Sequence, residues 1–290
     1  VTELQDLAHK LLDEGTVQVV IGWEDSRRGA RPVTITDAED ASRLIFDSRC
    51  VHNLATYLNP RRSQVRALGK PAVVVKGCDT KAVAALLRES QFERDEVVLI
   101  GVRCGGVVKD PTSDGVLTEE TTAPRCVACD VREPRLADYI VGEAQPEPPQ
   151  NTSLDDMVAK LDAMTPDERL EFWTAQMEKC TRCYACRQAC AICTCDRCVV
   201  DKTVPQWIER APHARGNFSW HLIRALHHAG RCVECGECER ACPAGIPLML
   251  LNRKVQQIVA ESFDFTATDD LDAVQPIGDF LADDHEDFIV

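Results

Sequence analysis

No stretch of this chain approaches 18 uninterrupted apolar residues, so the sequence offers no transmembrane helix. The two phosphate-cradling signatures, G-x-G-x-x-G and G-x-x-x-x-G-K-[ST], are also missing, which removes the simplest nucleotide-binding readings. Gly101, Gly105 and Gly106 make only a weak glycine loop, compatible with a flavin phosphate contact or with close approach of backbone to a metal. Basic charge is scarce: 33 Lys and Arg face 47 Asp and Glu, a net charge of −14. That balance argues against nucleic acid, which demands a basic surface. Beyond Lys254 there is no Lys or Arg at all, while Asp264, Asp269, Asp270, Asp272, Asp279, Asp283, Asp284, Glu286 and Asp287 crowd the end. A solvated, partly disordered tail is the expectation. The interleaved Phe263, Phe265, Leu271, Ile277, Phe280, Leu281 and Phe288 keep open a tail that packs along a partner. Aromatic residues are only 5% of the chain, yet 44% hydrophobic content leaves an ordinary core available.

Cysteine is what the chain has in excess, 16 of 290 residues. No long apolar leader opens the sequence, and disulfide scaffolds belong to short secreted chains. A reduced, cytoplasmic protein of an anaerobic or microaerobic metabolism is expected. Eight of the cysteines repeat one spacing: Cys180-x2-Cys183-x2-Cys186-x3-Cys190, then Cys232-x2-Cys235-x2-Cys238-x3-Cys242-Pro243. This is the ligand ruler of paired [4Fe–4S] clusters: three thiolates wrap one cluster, and the fourth reaches the other. The crossed rule assigns Cys180, Cys183, Cys186 and Cys242 to one cluster and Cys232, Cys235, Cys238 and Cys190 to the second. Ala191 follows Cys190 where the second copy has Pro. Forty-one residues part Cys190 from Cys232, which suits helices carrying the cluster loops. Cys193, Cys195 and Cys198 crowd behind the first motif; further ligands and buried structural thiols are equally good readings. His221, His227 and His228 read as surface or packing residues, because histidine ligation of such clusters is uncommon.

The first half has an α/β rhythm. Thr16–Gly22, Ala72–Lys76 and Glu96–Val102 read as buried strands, with a helix over Thr80–Glu89 capped by Asp79 or Thr80. Strand, helix, strand makes the second and third strands parallel neighbours. A helix over Asp40–Leu58 is expected on the same sheet. Cys78 and Cys104 then follow the carboxyl ends of adjacent strands, the edge where open α/β sheets bind ligands. With Cys126-x2-Cys129 they form a candidate third site, iron–sulfur first and zinc second. Cys50 reads as a core thiol, Lys76 by default as a surface lysine with contact to an anionic cofactor as the alternative, and Arg27, Arg28 and Arg31 as a solvated loop with a phosphate clamp as the alternative. Gly142–Ser153, with three prolines, reads as a linker. Beyond it, helices are expected over Asp155–Met164, from the Thr165-Pro166-Asp167-Glu168 capping box to about Met177, over Phe218–Ala229 closed by Gly230, and over Leu248–Val259. The expected organisation is an α/β domain with a mostly parallel sheet (1–145), an all-α ferredoxin-like domain (146–262) and an acidic tail (263–290).

The segment VVVKGCDTKAVAALLRES with the following VVLIGVRCGG resembles the β-subunit family of coenzyme F420-reducing hydrogenases and dehydrogenases. CTRCYACRQAC and CVECGECERACP are similar to the helical ferredoxin modules of heterodisulfide-reductase-type complexes. The resemblance implies an iron–sulfur subunit working beside a hydrogenase, formate dehydrogenase, heterodisulfide reductase or other flavin-based complex. It further implies FAD and F420 reduction among members. The leading expectation is a non-catalytic electron-transfer subunit carrying two [4Fe–4S] clusters and a third iron–sulfur site, with redox subunits as partners. The alternative is a FAD-containing oxidoreductase of coenzyme F420 or NAD(P)H that feeds the clusters.

Overall fold

The computed structural model describes residues 1–127 and 129–278. Helix α1 (Thr2–Asp13) buries Leu4, Ala8 and Leu11 against the sheet region. Strand β1 (Val19–Glu24) pairs antiparallel with β2 (Arg31–Ile35) and β3 (Leu44–Ile45). The short helix α2 (Ser63–Arg66) leads to β4 (Pro71–Val75), and α3 (Gly77–Arg88) crosses to β5 (Val98–Val102). A single turn, α4 (Pro124–Val127), precedes β6 (Tyr139–Val141). The sheet order is β2-β1-β4-β5-β6, and β1, β4, β5 and β6 run parallel. Every residue of β1, β4 and β5 is buried, as central parallel strands covered on both faces must be.

The expected parallel sheet and β4-α3-β5 unit are present, with three differences of detail. Strand β1 runs on past Gly22, because Trp23 and Glu24 pair with Pro32 and Arg31 on one side and Ile45 and Leu44 on the other. The helix expected over Asp40–Leu58 is absent. In its place stand two 3₁₀ turns, Ala38–Arg43 and Leu54–Leu58, around β3. Asp37 and Asn53 accept the N–H groups of Glu39 and Ala55, and Asp47 accepts that of Arg49. Such local side-chain acceptors compete with helix propagation. Helix α3 starts three residues early: Lys76 is the N-cap, and Asp79, at the third helical position, accepts the Lys76 N–H at 3.0 Å.

Past residue 146 the described elements are helical apart from one isolated bridge, Thr203 to Gln206. They are α5 (Leu154–Asp162), α6 (Pro166–Glu178), α7 (Ala185–Ala189), α8 (Ala214–Leu226), α9 (Glu237–Arg240) and α10 (Leu248–Phe263). The capping box at Thr165 and Glu168 is formed. Helix α8 ends at Leu226, and the chain turns through His227 to a left-handed Gly230 (φ +68°).

The two halves are sewn together rather than merely linked. Asn59 donates to the carbonyls of Ala191 (2.7 Å) and Cys193 (3.1 Å), and Arg231 grips Glu89 through both oxygens. Ala85 of α3 shares a small apolar core with Cys190, Ile192 and Cys232. The proline-rich linker lies on the sheet edge, with Gln145 and Pro146 over Gly105 and Pro148 over Gly106. The described part of the tail also returns to its own chain: Arg88 donates to the carbonyls of Thr268 and Asp270, and Arg135 pairs with Asp269 at 3.3 Å. Residues 264–278 are nonetheless all exposed or half-buried, so these contacts tether a largely solvated run. Residues 279–290, with Phe280, Leu281 and Phe288, lie outside the described residues.

Glu24 closes β1 as a largely buried carboxylate held by Arg31 (2.6 Å) and Arg43 (2.7 Å). Burial alone would raise its pKa, but the two guanidinium groups outweigh it and hold it below the usual 4.5. The unfolded chain therefore binds the proton more readily, and this contribution to stability is present above about pH 4.5 and lost as pH falls through the folded value. Glu24→Gln should cost about 1–2 kcal/mol in urea unfolding at neutral pH. The gap to the parent should close on acidification; an equal gap at roughly pH 3.5 rules this ion pair out as its source.

Candidate metal centres

The doubled cysteine ruler is also doubled in backbone. In the first loop Arg182 (φ +57°) and Tyr184 (φ +60°) are left-handed; in the second, Glu234 (φ +55°) and Gly236 (φ +74°) hold the same two places. Left-handed backbone costs an ordinary residue about 1–2 kcal/mol, so three non-glycine cases at matching positions mark an imposed geometry. Each loop ends in a short helix, α7 after Tyr184 and α9 after Gly236. The Arg182 N–H is aimed at the sulfur of Cys180 (3.5 Å). Gly236 also makes room: a Cβ there would stand 2.6 Å from a nitrogen of Arg125.

Cys190, Cys232, Cys235 and Cys238 line one buried cavity, together with Arg224 and Asn252. Asn252 donates to the Cys238 sulfur at 3.4 Å. Cys186 is buried beside Met177, Trp220 and Ile246, with Cys180 and Cys242 packed against the same core. Burial raises the Cys180 pKa, and the neighbouring Cys242 and Cys183 thiols raise it further. Cys183 itself is exposed.

Cys78, Cys104, Cys126 and Cys129 line a second cavity at the carboxyl edge of β4 and β5. Gly106 N–H points at Cys104 and Val107 N–H at Cys126, each at 3.4 Å. Gly77 lets the 129–131 loop close in, since a Cβ on it would meet the Val131 carbonyl at 2.3 Å. Burial pushes the Cys104 thiol up to about 11 and Cys78 well above the ordinary value. Lys76, expected at the surface, is buried here. It lies 2.9 Å from Asp79 and over the Trp23 ring, and donates to the His52 carbonyl at 2.7 Å.

Curated relatives match most of this chain at low identity. The β subunit of F420-dependent formate dehydrogenase from Methanocaldococcus jannaschii is 23% identical, over 89% of this chain and 88% of that protein. The β subunit of F420-dependent formate dehydrogenase 1 from Methanococcus maripaludis is 23% identical, over 66% and 71%. The chain resembles the F420-reducing dehydrogenase β-subunit family. No family model matches it. The resemblance read from VVVKGCDTKAVAALLRES is thus matched by relatives along most of this β-subunit-like chain.

Among the described residues, the remaining cysteines do not gather at a site of their own. Cys193 joins Cys190, with both sulfurs and His228 Nε2 within 4.8 Å of one another. Cys198 packs against the core that holds Cys186, and Cys195 is exposed. Cys50 is buried, accepts the Asp47 N–H at 3.4 Å and is pushed up to about 12 by burial. His221 and His228, expected at the surface or in packing, are buried against sulfur: His221 Nε2 is 3.3 Å from Cys180, and His228 Nε2 is 3.1 Å from Cys193.

Sequence reasoning passed over the buried and half-buried cations. Half-buried Arg125 lines the Cys78 and Cys104 cavity, donates to the carbonyls of Cys235 and Val51, and is held above its ordinary pKa, desolvation being outweighed by Cys126, Cys78, Glu237 and Cys235. Arg224 donates to the Cys186 carbonyl (3.3 Å) and neighbours Cys190, Cys193 and Cys238. Its Nε, and Nη1 of Arg182, are buried donors without a protein acceptor among the described residues. Orphaned cationic donors beside all-thiol sets fit anionic iron–sulfur groups, whose potentials respond to such hydrogen bonds and burial. Asn217, fully buried on α8, pins the first loop by donating to the carbonyls of Met177 (2.9 Å) and Cys180 (2.8 Å) and accepting from Arg182 Nε (2.8 Å). Asn217→Ala should therefore cost about 3 kcal/mol and reduce iron held by the first loop. A variant with parental thermal unfolding and parental iron content would show that this pin is dispensable.

Proposed function

We propose that this chain is an iron–sulfur electron-transfer subunit of a formate-dehydrogenase-type complex, relaying single electrons between partner redox subunits. The observation that carries the reading is the placement of Arg125, which touches the Cys235 loop and neighbours Cys78 and Cys126. It supports reading the α/β site and the second helical site as neighbouring stations of one relay. In this reading Cys180, Cys183, Cys186 and Cys242 hold one [4Fe–4S] cluster, and Cys190, Cys232, Cys235 and Cys238 the second. Cys78, Cys104, Cys126 and Cys129 hold a third. The α/β domain spans 1–145, a helical ferredoxin-like domain 146–262 and the tail 263–290, and the complex works in the cytoplasm. The β-subunit names of the relatives support assembly with a catalytic partner.

A second reading rests on the cavity of about 450 Å³ at the carboxyl ends of β5 and β6, lined by Val102–Gly106, Ser48 and Gly142. Its size suits a cofactor, and it abuts Cys104. A flavin there would collect two electrons from F420 or a nicotinamide and pass them on singly.

Iron, sulfide and flavin analysis of anaerobically purified protein tests both. About twelve iron atoms per chain support three clusters, and about eight limit the relay to the helical pair. Cys183→Ala and Cys235→Ala should each lose iron, and Cys78→Ala should lose about four atoms. Iron unchanged in all three sinks the assignment, while zinc in place of that third increment makes the α/β site structural. Stoichiometric flavin absorbance would favour the second reading. Arg125→Gln should keep its iron and lower the midpoint potentials of the second and third sites, because a half-buried positive charge favours the reduced forms.

A further inference from the structure

The residues on either side of the exposed Cys183 hold both ends of the stretch that carries Val204 and Trp207, the most exposed apolar side chains of the described helical half. Arg182 and Tyr184 flank Cys183. Arg182 donates to the Glu209 carbonyl at 2.9 Å and the Tyr184 hydroxyl to Asp201 at 2.6 Å. These two bonds anchor both ends of the stretch 202–208 to the residues on either side of Cys183. A bridge between Thr203 and Gln206 folds that stretch back on itself. Val204 is 91% exposed and Trp207 69% exposed, the pairing of an aromatic anchor with an aliphatic neighbour that interface cores favour.

The charge around them has the opposite sign to the rest of the chain. Arg197, Lys202, Arg210 and Arg215 are exposed, and none has an acidic partner among the described residues. Of the nearby acids, Asp196 is exposed, while Asp201 is buried against Arg187 (3.4 Å) and Glu209 faces His213 (2.8 Å). In a chain of net charge −14, a basic collar around an apolar anchor complements a partner with an acidic face.

We propose that the face formed by Cys183, Val204, Trp207, Lys202 and Arg210 is the docking surface for an acidic one-electron carrier protein of the iron–sulfur class. The inference rests on the relay reading of Cys180, Cys183, Cys186 and Cys242. Each encounter moves one electron, oxidising the iron–sulfur group held by those cysteines and reducing the carrier's own group by one. The reverse transfer uses the same surface.

The probe is an acidic bacterial 2[4Fe–4S] ferredoxin, offered to the dithionite-reduced, reconstituted full chain in stopped flow and, separately, to the immobilised chain for binding. Lys202→Glu with Arg210→Glu should lower the second-order rate and the affinity about tenfold at low salt, with the difference shrinking at about 0.5 M salt. Trp207→Ala with Val204→Ser should weaken binding at both salt concentrations. Arg27→Glu with Arg28→Glu, the same charge change elsewhere, should do neither, and all variants should keep parental iron content and EPR spectra. Parental rates and affinities in both docking variants, with iron intact, overturn the surface. So does a parental dimer that Trp207→Ala converts to monomer, which would assign the patch to a second copy. A different failure, full iron retention in Cys183→Ala and Cys186→Ala, removes the relay reading itself.

Discussion

Everything else in this molecule answers to the cost of keeping sulfur anions out of water. Most of the sixteen thiols are buried or half-buried, and burial drives them towards the protonated form, as the elevated Cys78, Cys104, Cys186 and Cys238 show. Thiolates become affordable there only with a metal or with compensating donors. The chain supplies both kinds of compensation the protein itself can offer. Backbone N–H groups are aimed at Cys104, Cys126 and Cys180, buried Lys76 and Arg224 lie among the sulfurs, and half-buried Arg125 lies beside them.

That constraint explains why the two halves cannot be regarded as independent parts. Cys190 belongs to the first loop in sequence but lines the cavity of the second, and Ala85 of α3 packs against it. Arg125 leaves the α/β half to reach the Cys235 carbonyl, and Asn59 leaves it to hold the carbonyls of Ala191 and Cys193. A cation shared by two thiol-lined cavities couples them electrostatically, since at low local dielectric its field is felt by both. Moving one half would strip compensation from the other.

What the sequence made legible follows spacing. The ruler, the βαβ unit and the Thr165 capping box are local patterns, and local patterns survive folding. The Cys78, Cys104, Cys126 and Cys129 grouping was also within reach, because strand ends of a parallel sheet share an edge. Elements set by competition were not legible. Asp40–Leu58 has helical composition, yet Asp37, Asp47 and Asn53 divert its backbone into turns. Nor did residue type announce the buried Lys76, Arg182 and Arg224 or the half-buried Arg125. Long cationic side chains are presumed solvated until something anionic gives them reason to be inside. The one available hint was placement: Arg125 stands next to Cys126, and Arg182 next to Cys183.

The same reasoning separates the two kinds of histidine contact. His221 and His228 are held near pKa 3, burial being reinforced for both by the neighbouring Arg224. An imidazole kept neutral beside a cation can donate one N–H to sulfur, while its charged form is strongly disfavoured. Placed at Cys180 and Cys193, these rings act as fixed dipoles rather than as further positive charge. Full charges and neutral rings thus stand side by side, Arg224 and His228 lining the same cavity.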